Sequence, residues 1–219
     1  MRLRALLIST AIMSLTVAVV KAINPPVPSP LINEDKILGS AYYDTLSILS
    51  TPNECSDFFG GPTVIETFNA LIGKVRKDYF SSAIGIRMSG STVNVVNVKT
   101  RKRYRLFDKV SIYANGPFYR RKYTNAQAFV SSVGKFGANT KEARVLMLLH
   151  ELGHSVKSDT GGWLLPDDGM DDSQSRDNTR KIEDVCGEQI KGLGKGDIAR
   201  NSVRGKYEAI EPDETDLPR

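Results

Sequence analysis

Histidine is almost missing from this chain: it occurs twice in 219 residues, and tryptophan once. Cysteine is equally sparse at two, so any disulfide framework is limited to a single bridge, Cys55 to Cys186. No internal repeat is visible, which excludes solenoid and propeller architectures. The longest apolar stretch, Ala5 to Val20, is about 16 residues, short of the roughly 20 a spanning helix needs. Arg2 and Arg4 precede it and Val20-Lys21-Ala22 offers small residues at a cleavage site, so residues 1–22 read as a signal peptide cut after Ala22. The mature chain is then secreted or periplasmic, with no stable membrane span. An isolated cysteine pair in such a compartment is most simply a disulfide, whose long loop implies stabilisation on the order of 4–5 kcal/mol.

A large charge of one sign is also missing. The formal charge of +5 includes Arg2, Arg4 and Lys21, so cleavage leaves only +2 and no reason to invoke nucleic acid. The charge is uneven, however. Lys74 to Lys122 holds 13 Lys and Arg against Asp78 and Asp108, whereas from Asp159 onward 15 acids face 9 bases. Two oppositely charged faces of one domain account for this.

What is present is concentrated. Both histidines fall in His150-Glu151-Leu152-Gly153-His154, inside an apolar, helix-forming segment. Residues i and i+4 share one helical face, so two imidazoles can hold Zn²⁺ with Glu151 beside them as general base for an activated water. A catalytic zinc wants three protein ligands and an open position. With no third histidine, the remaining ligand must be a carboxylate or, less well, an amide or water.

The rest of the chain frames that segment. Residues 23–39 form a Pro-rich extended leader, with four prolines from Asn24 to Pro30. Residues 40–194 form the catalytic domain, and residues 195–219 a polar, charged tail. Ser40 to Leu49 and Pro62 to Phe80 read as helices. Short β segments follow at Ile84 to Met88, Thr92 to Val98, Arg103 to Phe107 and Lys109 to Ala114, the first two parted by a turn at Ser89-Gly90-Ser91. The motif helix starts near Asn139, with Glu142 completing a capping box. Ser173 to Lys191 is a closing helix with Ile182, Val185, Cys186 and Ile190 on one stripe. Helices, a small antiparallel sheet, a central metal helix and a closing C-terminal helix make an α+β fold.

These stretches resemble the zincin metallopeptidases over residues 140–156. They also resemble a group of secreted bacterial proteins, frequent in acidobacterial genomes, that join a signal peptide to a HExxH helix. The matching segments there run from Glu54-Cys55-Ser56-Asp57-Phe58-Phe59-Gly60 through Tyr104-Arg105-Leu106-Phe107, Asn115-Gly116-Pro117-Phe118 and Pro166-Asp167-Asp168-Gly169 to Asn178-Thr179 and Cys186. The resemblance implies a zincin-like fold, His150 and His154 as metal ligands and Glu151 as base. The metzincin pattern fails, because Thr160 stands where its third histidine belongs. Asp168, in a short loop before Gly169, resembles the aspzincin solution and is the preferred third ligand. Glu183 on the closing helix would match the gluzincin plan, and Asn178, Asp177 and Asp159 also stay open.

The function expected is a secreted zinc metallopeptidase acting on peptide or protein substrates through a water activated by Glu151. Tyr113, Tyr119, Tyr123, Arg120 and Arg121 are candidates to stabilise the developing oxyanion. Val110 to Ala114, or Gly116 to Arg121, would supply an edge strand for extended substrate. The alternatives are a non-catalytic zincin-scaffold binding module and a zinc amidase acting on cell-wall amides.

Overall fold

The computed structural model describes residues 29–80, 84–97, 101–122, 129–169 and 171–193. The expected signal peptide, the charged tail and Tyr123 lie outside them. Of the leader, residues from Leu31 onward are helical rather than extended. Helix α1 (Leu31–Glu34) leads into α2 (Lys36–Ser50) through Asp35, whose carboxylate accepts from the backbone N–H groups of Ile37 and Leu38. That N-cap satisfies donors the helix would otherwise leave unpaired. Leu38, Tyr42, Leu46 and Leu49 recur at helical spacing in α2 and are all buried.

Helix α3 (Glu54–Phe58) is opened by a reciprocal cap between Asn53 and Ser56, and carries Cys55. Helix α4 (Val64–Gly73) buries Val64, Phe68, Leu71 and Ile72. The apolar spacing predicts that this helix runs on to Phe80, but it stops at Gly73, and β1 (Val75–Asp78) begins at once. Val75 continues the helical stripe in sequence and instead pairs with Val110 in the sheet.

The four short β segments are two long strands, β2 (Ile86–Val96) and β3 (Arg103–Tyr113). Ser89-Gly90-Ser91 does not turn the chain. It forms a bulge where the register against β3 shifts between Ser89 and Thr92, and the Asp108 carboxylate accepts from the backbone and hydroxyl of Ser91. The sheet order is β1-β3-β2, with β1 parallel and β2 antiparallel to β3, so the sheet is mixed rather than wholly antiparallel. Val110 to Tyr113 belongs to the central strand, and residues 116–121 make turns, so neither expected substrate edge is an edge. The edges are β1 and β2.

Helix α5 (Lys141–Ser155) is capped by Thr140, whose hydroxyl accepts from Ala143, and not by the expected Asn139. Asn139 takes a left-handed backbone (φ 60°) one residue earlier, and its side chain accepts from Arg144. From Val145 to Ser155 every residue of α5 is buried, as befits a helix at the centre of the core. Helix α6 (Asp172–Lys191) crosses beside it, burying Ile182, Cys186 and Ile190, and Cys186 is disulfide-bonded to Cys55. The mixed α+β architecture thus hangs on a main hydrophobic core built around α5, with a small second cluster of Ala70, Val95 and Tyr104.

Candidate metal centre

Local structure brings three side chains to a point. The i, i+4 spacing on α5 sets the rings of His150 and His154 5.0 Å apart, centroid to centroid. After α5 the chain returns at Leu165, whose backbone N–H donates to the Gly153 carbonyl at 3.1 Å. Gly153 permits this: a Cβ there would lie 2.6 Å from the Leu165 side chain. The return carries Asp168 over the histidines, its Oδ2 2.9 Å from His150 Nε2 and 3.4 Å from His154 Nε2. The ligating atoms of all three lie within 4.8 Å of one another, a spacing that could hold a metal ion.

The environment suits a cation. His154 is 3% exposed, and neither of its ring nitrogens has a hydrogen-bond partner among the described residues. An orphaned imidazole in a protein interior is costly unless something absent from the protein atoms satisfies it. Burial pushes the His150 imidazole pKa down, favouring the neutral ring that can offer a lone pair. Burial would raise the Asp168 carboxyl, but the His150 hydrogen bond and the nearness of both imidazoles hold it well below the usual carboxylate range. Glu151, also buried, is pushed well above that range by desolvation and then by the charge of Asp168.

The supporting residues are the part that the sequence did not disclose. His150 Nδ1 lies 3.0 Å from the Thr179 hydroxyl on α6, a contact that orients the ring and selects its tautomer. Asn178 Nδ2 donates to the Pro166 carbonyl at 2.9 Å and reaches Asp168 Oδ2 at 3.5 Å, so it braces the loop. Arg105, 6% exposed on β3, donates from Nε to the His154 carbonyl at 2.7 Å and from its two terminal nitrogens to the Asp167 carboxylate. Its guanidinium is stacked over Trp163, 4.3 Å from the ring centre. One arginine therefore ties the end of the metal helix to the loop that carries Asp168. These contacts span 10 to 62 residues of sequence, and no local pattern announces them.

The other candidate ligands go elsewhere. The Glu183 carboxylate accepts from Lys135 N–H and abuts Gly134, where the chain turns with φ +56°. Asp177 pairs with Arg180 on the exposed side of α6, and Asp159 lines a different cavity. Of the expected oxyanion stabilisers, Tyr119 donates to Asp35 at 2.8 Å beneath Lys77, remote in its contacts from the histidines. Tyr113, Arg120 and Arg121 are not among the residues that line the cleft.

His150 and Glu151 sit where two cavities meet, of about 370 and 740 Å³. Edge strand β2 walls the smaller with Ile86, Met88 and Ser89, and the start of α6 borders both through Asp172 and Ser175. The arrangement can hold a divalent cation, keep a buried carboxylate beside it and admit a ligand along an open strand. Comparison with family models, with curated proteins and with solved structures returns no match.

Proposed function

We propose that the protein is a secreted, zincin-like metallopeptidase that uses Zn²⁺ held by His150, His154 and Asp168. The observation that carries this reading is the unsatisfied, buried ring of His154 facing the Asp168 oxygen that also meets His150. Two imidazoles and one carboxylate are a donor set that suits zinc and leaves a position open. Bound there, Zn²⁺ would polarise a substrate carbonyl and lower the pKa of water towards 7.

The chain's own groups do the rest. Glu151 accepts the proton of the attacking water and returns it to the leaving amine. Thr179 and Asn178 fix His150 and the Asp168 loop, so the donors are preorganised rather than gathered on binding. Among the described residues β2 is an edge strand, and its residues Ile86 to Gly90 line the cleft, where an extended peptide can add as a further strand. Export is in keeping with the disulfide, and no helix among the described residues is long and apolar enough to cross a membrane.

The test is zinc content and proteolysis of an unfolded protein substrate by the purified protein. Glu151→Gln should keep the metal and lose turnover by at least the roughly 10²-fold that a general base supplies. His150→Ala and His154→Ala should each lose the metal. Full metal content in either histidine variant, or undiminished turnover in Glu151→Gln, overturns the reading.

A further inference from the structure

The basic run Arg101-Lys102-Arg103 takes no part in the metal centre. It borders a third cavity, of about 390 Å³, which shares no lining residue with the two that meet at His150. Helices α3 and α4, the start of β3 and the segment following α5 enclose it. Arg101, Lys102, Arg103 and Lys157 bring four cations to its wall against the two acids Asp57 and Asp159. Phe59, Val64 and Leu164, all buried, give it an apolar side.

Two details make this more than a basic surface. Thr67 and Tyr104 are 6% and 7% exposed and line the cavity, yet neither hydroxyl has a hydrogen-bond partner among the described residues. Burial, and then the nearby Glu66 carboxylate, push the Tyr104 phenol's pKa up, which keeps it a donor. Arg101, moreover, stands at φ 59° in the turn joining β2 to β3, a left-handed position that glycine fills without strain. The turn carries an arginine there despite that penalty, at the edge of the cavity.

We propose that this cavity binds an oxyanion, a carboxylate or phosphate, on a ligand whose apolar part lies against Phe59, Val64 and Leu164. Paired guanidinium groups and hydroxyl donors are the chemistry that recognises such groups. The site is independent of the metal centre and stands whether or not the protein is a peptidase.

The full-length exported protein is titrated at low salt with inorganic phosphate and, separately, with a short glutamate peptide. Binding is followed by calorimetry and stability by chemical unfolding. At least one probe should bind, and Arg101→Ala with Arg103→Ala should weaken it by roughly tenfold or more. Tyr104→Phe should weaken it several-fold. The charge-matched pair Arg120→Ala with Arg121→Ala should bind as the parent does. Arg101→Gly separates binding from folding, since it relieves the backbone: it should stabilise the protein while weakening the complex. Phosphate binding alone identifies a phosphate ligand, and peptide binding alone a carboxylate one. Failure of both probes at millimolar concentration overturns the proposal. Equal loss in the two double variants, or parental affinity in Arg101→Gly, also overturns it.

Discussion

Arg105 Nε donates to the carbonyl of His154 at 2.7 Å, across 49 residues of sequence. The same guanidinium holds Asp167, next to Asp168, so the helix bearing two imidazoles and the loop bearing the carboxylate are fixed to one rigid, planar group. Arg105→Lys cannot reproduce the fork and should lower zinc affinity by roughly 10–100-fold, as losses of supporting contacts at metal sites do. Asp167→Ala should act in the same direction, because it leaves a buried guanidinium short of its anion. Competition with a zinc-sensitive chelator measures both. Parental affinity in the two variants would show that the loop holds its position unaided.

The ligand assignment separates cleanly by substitution. Asp168→Ala removes a donor and should cost more zinc affinity than any change in the supporting residues. Glu183→Ala should leave zinc affinity unchanged and lower stability instead, by about 1–3 kcal/mol, since Lys135 N–H loses its buried acceptor. Strong metal loss at Glu183 with Asp168 silent would reverse the assignment.

Thr179 offers a finer test. Thr179→Val keeps the shape and deletes the hydroxyl 3.0 Å from His150 Nδ1, so zinc affinity should fall by about tenfold. Thr179→Ser restores a hydroxyl and should recover most of it. Equal behaviour of the two would assign Thr179 a packing role only.

Far from the cleft, Asp35 gives the fold a pH dependence. Burial alone would raise its carboxyl, but the Lys77 hydrogen bond, the Leu38 N–H, the Tyr119 hydroxyl and the Lys77 charge outweigh it and hold it below the usual value. A lowered folded-state pKa stabilises above the unfolded value, near 4, and that contribution fades as pH falls through the folded one. Asp35→Asn keeps a side-chain acceptor for the α2 cap but not the charge. Chemical unfolding should show wild type ahead of Asp35→Asn at neutral pH, with the gap closing below about pH 4. A gap that persists unchanged into acid would remove the charge from the explanation.

The motif helix was legible in the sequence because its main signals are local, an apolar run and a one-face spacing of histidines, whereas its cap proved to be Thr140 rather than Asn139. The helix and strand ends around it were less so. Val75 fits the helical stripe of Val64, Phe68 and Leu71, and only the free side of β3, 35 residues on, converts it to a strand. Ser89-Gly90-Ser91 has turn composition, and it becomes a bulge because Asp108 from the facing strand bonds Ser91. Asp168 could be favoured from its loop and its distance from the motif. That Glu183 lies instead against the Gly134 turn and accepts from Lys135 N–H is something no spacing reveals.

The disulfide encloses the entire sheet and the whole of α5, since its two sulfurs stand 131 positions apart. The molecule is in that respect a closed covalent ring with two free ends. One cut anywhere inside the ring opens it without separating the pieces, and α6, with Thr179 and Asn178, remains tethered to the rest. A single backbone break inside the ring therefore leaves His150, His154 and Asp168 within one covalently connected molecule.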